Sequence, residues 1–135
     1  MKRLHKGSCH CGDVRFECEL DLADGTSKCN CSICTKSRFW KAIVPADKFR
    51  LLQGADQLAD YQFAGRNIHH QFCKTCGVKP FGRGNFEPIG AFYAVNIACL
   101  DDVSDTEMAE APVVIEDGRN NRWGPGSEPA IISHL

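Results

Sequence analysis

Seven of the nine cysteines in this 135-residue chain fall into three short groups: Cys9 and Cys11; Cys29, Cys31 and Cys34; Cys73 and Cys76. Cys18 and Cys99 stand alone. Nine is an odd number, so complete disulfide pairing leaves a thiol over, and in a reducing compartment disulfides are rare in any case. Metal ligation is therefore the leading reading. No apolar run follows the basic start Met1-Lys2-Arg3, and no stretch approaches the length needed to cross a bilayer. The chain is expected to be soluble and cytoplasmic, with no membrane partner.

A structural zinc takes four ligands in a tetrahedron, whereas a reactive zinc commonly has three protein ligands and one open position. Seven divides as four and three. The division that keeps every group whole joins Cys9, Cys11, Cys73 and Cys76 in one site and leaves Cys29, Cys31 and Cys34 as the other. Residues two apart on an extended chain point to the same side, so a Cys-x-Cys pair can grip one ion directly. A Cys-x-x-Cys pair needs a tight knuckle, and Gly77 and Gly12 stand where such turns often require a positive φ. In isolated zinc peptides this kind of binding supplies about 10 to 16 kcal/mol, so the four-cysteine site is expected to anchor the fold. For the second group the alternatives are an open zinc that accepts a substrate sulfur or oxygen, a site closed by His10, His69 or His70, or a set of free thiols. Cys18 and Cys99 read as small buried hydrophobes.

Val14, Phe16, Cys18 and Leu20 alternate with Arg15, Glu17 and Glu19, the period of a half-buried strand. Strand patterns recur at Phe39 to Val44, Phe49 to Leu52, Tyr61 to Phe63, Ile68 to Phe72 and Ala91 to Ile97, separated by Gly, Pro, Asp and Asn. Helix is confined to Ser32–Lys36 and Asp105–Ala109. A mostly β, antiparallel single domain over residues 1–135 is expected, with its core at about residues 4–123. Glu116 to Gly126 is polar and turn-rich and reads as an extended tail packed loosely on the domain. Sixteen basic against seventeen acidic residues give a formal charge of -1, which provides no field for a polyphosphate backbone and argues against a nucleic-acid partner. Lys28, Lys36, Arg38 and Lys41 do flank the three-cysteine group and could steer an anionic thiol to it.

The run Gly7-Ser8-Cys9-His10-Cys11-Gly12 before Val14-Arg15-Phe16, the group Cys29-Asn30-Cys31-Ser32-Ile33-Cys34, and Phe72-Cys73-Lys74-Thr75-Cys76-Gly77 resemble the glutathione-dependent formaldehyde-activating enzyme family, which includes centromere protein V. The resemblance spans about Leu4 to Trp123. It implies a zinc-containing β-tent, a structural zinc on Cys9, Cys11, Cys73 and Cys76, and a second, more labile catalytic zinc on Cys29, Cys31 and Cys34. The implied activity is that of a carbon-sulfur lyase run toward synthesis, in which glutathione adds to formaldehyde to give S-hydroxymethylglutathione. The competing expectation is a zinc-stabilised binding or interaction module without catalytic activity. Methionine sulfoxide reduction, known in a more distant relative of the fold, needs an Arg-x-Cys-x-Asn motif, whereas Cys99 lies in Asn96-Ile97-Ala98-Cys99-Leu100.

Overall fold

A computed structural model of the chain describes residues 1–123 and 126–135. The strands among them form two sheets. β1 (Arg3–Ser8), β2 (Arg15–Leu20) and β5 (Phe49–Gln53) make a small antiparallel sheet in the order β1-β2-β5. The larger sheet contains β3 (Thr26–Cys29), β4 (Trp40–Pro45), β6 (Leu58–Tyr61), β7 (Ile68–Cys73), β8 (Phe81–Phe86), β9 (Gly90–Asn96) and β10 (Val113–Glu116). Its order is β10-β3-β4-β9-β8-β7-β6, antiparallel throughout except for the parallel pair of β10 with β3. Two short helices, α1 (Ser32–Ser37) and α2 (Asp105–Glu110), complete the single mostly β domain.

Local chemistry accounts for these elements. On β2 the alternation is realised as read, with Phe16, Cys18 and Leu20 buried and Arg15 and Glu19 exposed. Glu17 is also buried, on the opposite face, because Nε and Nη2 of Arg50 both donate to its Oε1, at 3.0 and 2.5 Å. α2 starts at a capping box: the Ser104 hydroxyl accepts from the Glu107 backbone N–H at 3.1 Å, and the Glu107 carboxylate accepts from that of Ser104 at 3.3 Å.

The core lies between the sheets and includes Val14, Phe16, Val44, Phe81, Val95 and Ile97. Phe49 is its joint. From the small sheet it stacks on Phe16 (centroids 5.4 Å apart) and on Tyr93 of the large sheet (3.8 Å), and meets Phe81 edge-on at 4.9 Å. Such aromatic pairs contribute about 0.5–1.5 kcal/mol each beyond the area they bury.

The expected strands at β2, β4, β5, β7 and β9 form, but the strand expected at Tyr61 to Phe63 does not: β6 lies before it and shares only Tyr61. β1, β3, β8 and β10 carry no clean alternation. On β1 the buried inward residue is His5, whose Nδ1 lies 2.9 Å from the Asp102 carboxylate, so a polar side chain occupies a core position. On β8, Gly82 and Gly84 interrupt the pattern; a Cβ on Gly84 would sit 2.7 Å from the Ile68 side chain and 2.9 Å from that of Phe92, which close over it instead. The expectation of a loosely packed tail from Glu116 is corrected over residues 116–118, whereas residues 119–123 are exposed. Glu116 ends β10, paired with Cys29, and Asp117 is buried because Asn30 and Asn120 donate to its two carboxylate oxygens. Gly124 and Pro125, in the same stretch, lie outside the described residues. Cys18 and Cys99 are buried as expected, and among the described residues no helix is long and apolar enough to cross a membrane.

If Phe49 joins the sheets, Phe49→Ala should lower unfolding free energy by about 3 kcal/mol in equilibrium urea denaturation, and a loss under about 1 kcal/mol would contradict that role.

Candidate metal centres

The first centre forms where the ends of two strands meet. Cys9 follows β1 and Cys73 ends β7, so residues of the small and large sheets converge there with Cys11 and Cys76. The four Sγ atoms all lie within 4.8 Å of one another, and Cys9–Cys11 and Cys11–Cys73 are each 3.7 Å apart. Four sulfurs at about 2.3 Å from a tetrahedral zinc would be separated by about 3.8 Å, so this donor set fits the ion. The turns are those the glycines suggested. Gly12 donates to the Cys9 carbonyl at φ +85°, and Gly77 to the Cys73 carbonyl at φ +78°. Backbone N–H groups also point at sulfur, Val14 to Cys9 at 3.3 Å and Thr75 to Cys73 at 3.4 Å. The Cys73 thiol is held below its ordinary value, chiefly by the backbone N–H of Cys76 and, against burial, by that of Thr75.

The second cluster is local. Cys29 ends β3, Cys31 stands at the N-cap of α1, and Cys34 lies in the first turn of that helix. Their Sγ atoms also lie within 4.8 Å of one another, and the Cys31 N–H donates to the Cys29 sulfur at 3.4 Å. Among the described residues neither cluster includes a histidine or carboxylate donor. His10 is exposed, His69 pairs with Asp60 at 2.6 Å, and His70 Nδ1 faces Lys79 at 2.8 Å. The Cys31 thiol is held well below its ordinary value by hydrogen bonds from the Cys29 and Cys34 thiols. Those two are correspondingly pushed up.

Asn30, between the first two cysteines of this group, fixes their loop. Its side chain donates to Asp117 at 2.8 Å and accepts from the Arg119 N–H at 2.9 Å, while its backbone N–H donates to the Glu116 carbonyl. Segment 116–119 is thereby laid against the cluster. A Cβ on Gly118 would approach the Cys29 sulfur to 2.5 Å, so only glycine leaves room there. A cavity of about 220 Å³ is lined by Lys28, Cys29, Cys34, Arg38, Phe39 and Leu135. A larger cavity of about 310 Å³, around Arg3, His5 and Glu107, contains neither cysteine cluster.

Of the cations expected near this group, Lys28 and Arg38 line the cavity and Lys36 is exposed, while Lys41 is ion-paired with Glu116 at 2.6 Å. Sequence reading passed over Asn30, Asp117, Gly118 and Lys79. Lys79 Nζ lies 4.1 Å above the Phe39 ring, and Cys34 and Cys31 act electrostatically on it.

The sequence profile described as glutathione-dependent formaldehyde-activating enzyme matches residues 4–115, a span holding both cysteine clusters. The chain belongs to that family. The crystal structure of a Rhodobacter sphaeroides protein is also similar: it is 34% identical, the match covers 81% of this chain and 99% of that one, and the TM-score is 0.69. Within this member of the formaldehyde-activating family, the two sulfur clusters could hold metal ions, and thiolate-only donor sets suit zinc.

Because Gly118 packs on Cys29, Gly118→Ala should weaken metal uptake at the Cys29, Cys31 and Cys34 cluster by tenfold or more and leave uptake at the other cluster unchanged. Competition titration with a chelator measures this, and equal weakening of both clusters would contradict it.

Proposed function

We propose that the protein is a zinc-dependent carbon-sulfur lyase acting toward synthesis, joining a small thiol, glutathione or a relative, to formaldehyde or a similar carbonyl. In this reading Cys9, Cys11, Cys73 and Cys76 hold a structural zinc, and Cys29, Cys31 and Cys34 hold a second, catalytic one. The observation that carries it is the difference between the clusters: one has four sulfurs, the other three sulfurs beside a cavity and no fourth protein donor among the described residues. Family membership supports the thiol and the aldehyde as the substrate classes.

A zinc ion at the second cluster would supply stabilisation of a bound thiolate and polarisation of a neighbouring carbonyl. The remaining work falls to the chain. Lys28 and Arg38 at the cavity wall favour a thiol that carries negative charge, and buried Phe39 excludes water from the cavity floor. Asn30 and Gly118 keep the Cys29 to Cys31 loop in one position, so both reactants meet a fixed frame. The nine unpaired cysteines suit a reducing compartment, which supports a cytoplasmic setting.

The test is exchange NMR on glutathione and formaldehyde with protein loaded to full zinc content. Interconversion of free glutathione and its S-hydroxymethyl adduct should be at least tenfold faster than the spontaneous process. No acceleration with glutathione or another small cellular thiol would overturn the lyase reading in favour of a zinc-stabilised binding module.

A further inference from the structure

One cation near the three-cysteine cluster, Lys79, packs on Phe39, a ring that also lines the cavity beside Cys29 and Cys34. Lys41, the neighbouring cation, is neutralised by Glu116. Lys79 forms no ion pair with a carboxylate among the described residues. Its Nζ lies over the face of the buried Phe39 ring at 4.1 Å and donates to Nδ1 of His70 at 2.8 Å. Its backbone carbonyl accepts from the Asn96 side chain at 2.9 Å, which fixes the chain at the start of β8. The charged groups acting on it are Cys31, Cys34 and Lys41; those acting on His70 are Lys79, Cys31, Asp60 and His69. Desolvation holds the Lys79 ammonium below its ordinary value, and His70 is pushed down to about 4 by desolvation and by Lys79, so its Nδ1 lone pair is free to accept.

A half-buried ammonium set on an aromatic face, hydrogen-bonded to a neutral imidazole and offset only by the sulfurs of the second cluster, is arranged to receive a developing oxyanion. We propose that Lys79 is a catalytic residue of the second centre, binding and protonating the oxygen of the carbonyl substrate, with His70 as the residue that positions its ammonium group. This rests on the thiol-plus-carbonyl reading above. As the carbon-sulfur bond forms, the π pair of the carbonyl passes to oxygen, and the Lys79 ammonium donates a proton to it. The proton that the incoming thiol gives up returns to the amine. The sum is RSH + H₂C=O → RS–CH₂–OH, with no other reactant. Lysine suits this role better than arginine because burial lowers its proton affinity, whereas a guanidinium keeps its proton.

The experiment compares wild type with Lys79→Met and Lys79→Gln, each checked for metal content and thermal melting, after loading with cobalt(II) as a spectroscopic probe. Two probe thiols are titrated against the thiolate-to-cobalt bands: ethanethiol, and mercaptoacetate, whose carboxylate places a negative oxygen near its sulfur, as the alkoxide formed on the way to the S-hydroxymethyl adduct does. Wild type should bind mercaptoacetate at least tenfold more tightly than ethanethiol. Both variants should cut that preference at least threefold, with Lys28 and Arg38 holding the remainder, while keeping wild-type metal content and ethanethiol affinity. With zinc, glutathione and formaldehyde, the variants should lower kcat by about 100-fold and change the thiol KM by less than threefold. An undiminished preference or an unchanged kcat in the variants overturns the role of Lys79 and leaves the lyase reading intact. Cobalt bands that respond to neither thiol in wild type overturn the open-site reading, and the Lys79 proposal falls with it.

Discussion

The convergence of four cysteine sulfurs at the junction of the two sheets is the constraint on which the rest of the structure depends. Cys9 leaves the small sheet and Cys73 ends a strand of the large one, so anything that binds the four sulfurs fixes the angle and distance between the layers. Phe49, Phe16, Phe81 and Tyr93 pack in the space this junction leaves. A domain of this size has a modest core, and a bound ion closing a loop of some sixty residues would add stability that the apolar contacts alone supply sparingly. Four sulfurs this close cannot all ionise without a cation among them, so the proposed zinc would stabilise the junction of the sheets.

The second cluster has the opposite character. Its three sulfurs come from the end of β3 and the start of α1, and among the described residues none of them belongs to the hydrophobic cluster between the sheets. Their position is set by Asn30, Asp117 and Gly118, and a cavity lined by Cys29 and Cys34 adjoins them. A centre that the fold does not need for its stability can keep an incomplete ligand set and exchange ligands, which is what a reactive site requires. In the proposed assignment the division of labour follows from how far apart in the chain each set of ligands lies.

The cysteine groups were legible because metal ligands on a strand end or a knuckle come as close local pairs, and spacing alone separates four from three. The strands β2, β4 and β9 were legible through period-two burial. His5 on β1 and the glycines of β8 hid theirs, since a buried imidazole partnered by Asp102 and a glycine beneath Phe92 read as polar or as turn. The wall of the second cluster was beyond local reading: β10 pairs in parallel with β3 across more than eighty residues, and nothing in Asp117-Gly118 distinguishes a turn from a close approach to sulfur. Lys79 escaped notice for the same reason. Its neighbours Phe39 and His70 meet it only through the strand order of the large sheet, and the histidine that looked like a possible metal donor instead accepts a hydrogen bond from the lysine.

The most direct test of the account is native mass spectrometry of the wild type beside Cys31→Ser and Cys73→Ser, with thermal melting of each. The account predicts two zinc ions per chain in wild type, one in Cys31→Ser with the cooperative transition retained, and loss of the folded state in Cys73→Ser. A folded Cys73→Ser protein, or a Cys31→Ser protein that loses both ions together, would contradict the division into an anchoring and a reactive centre.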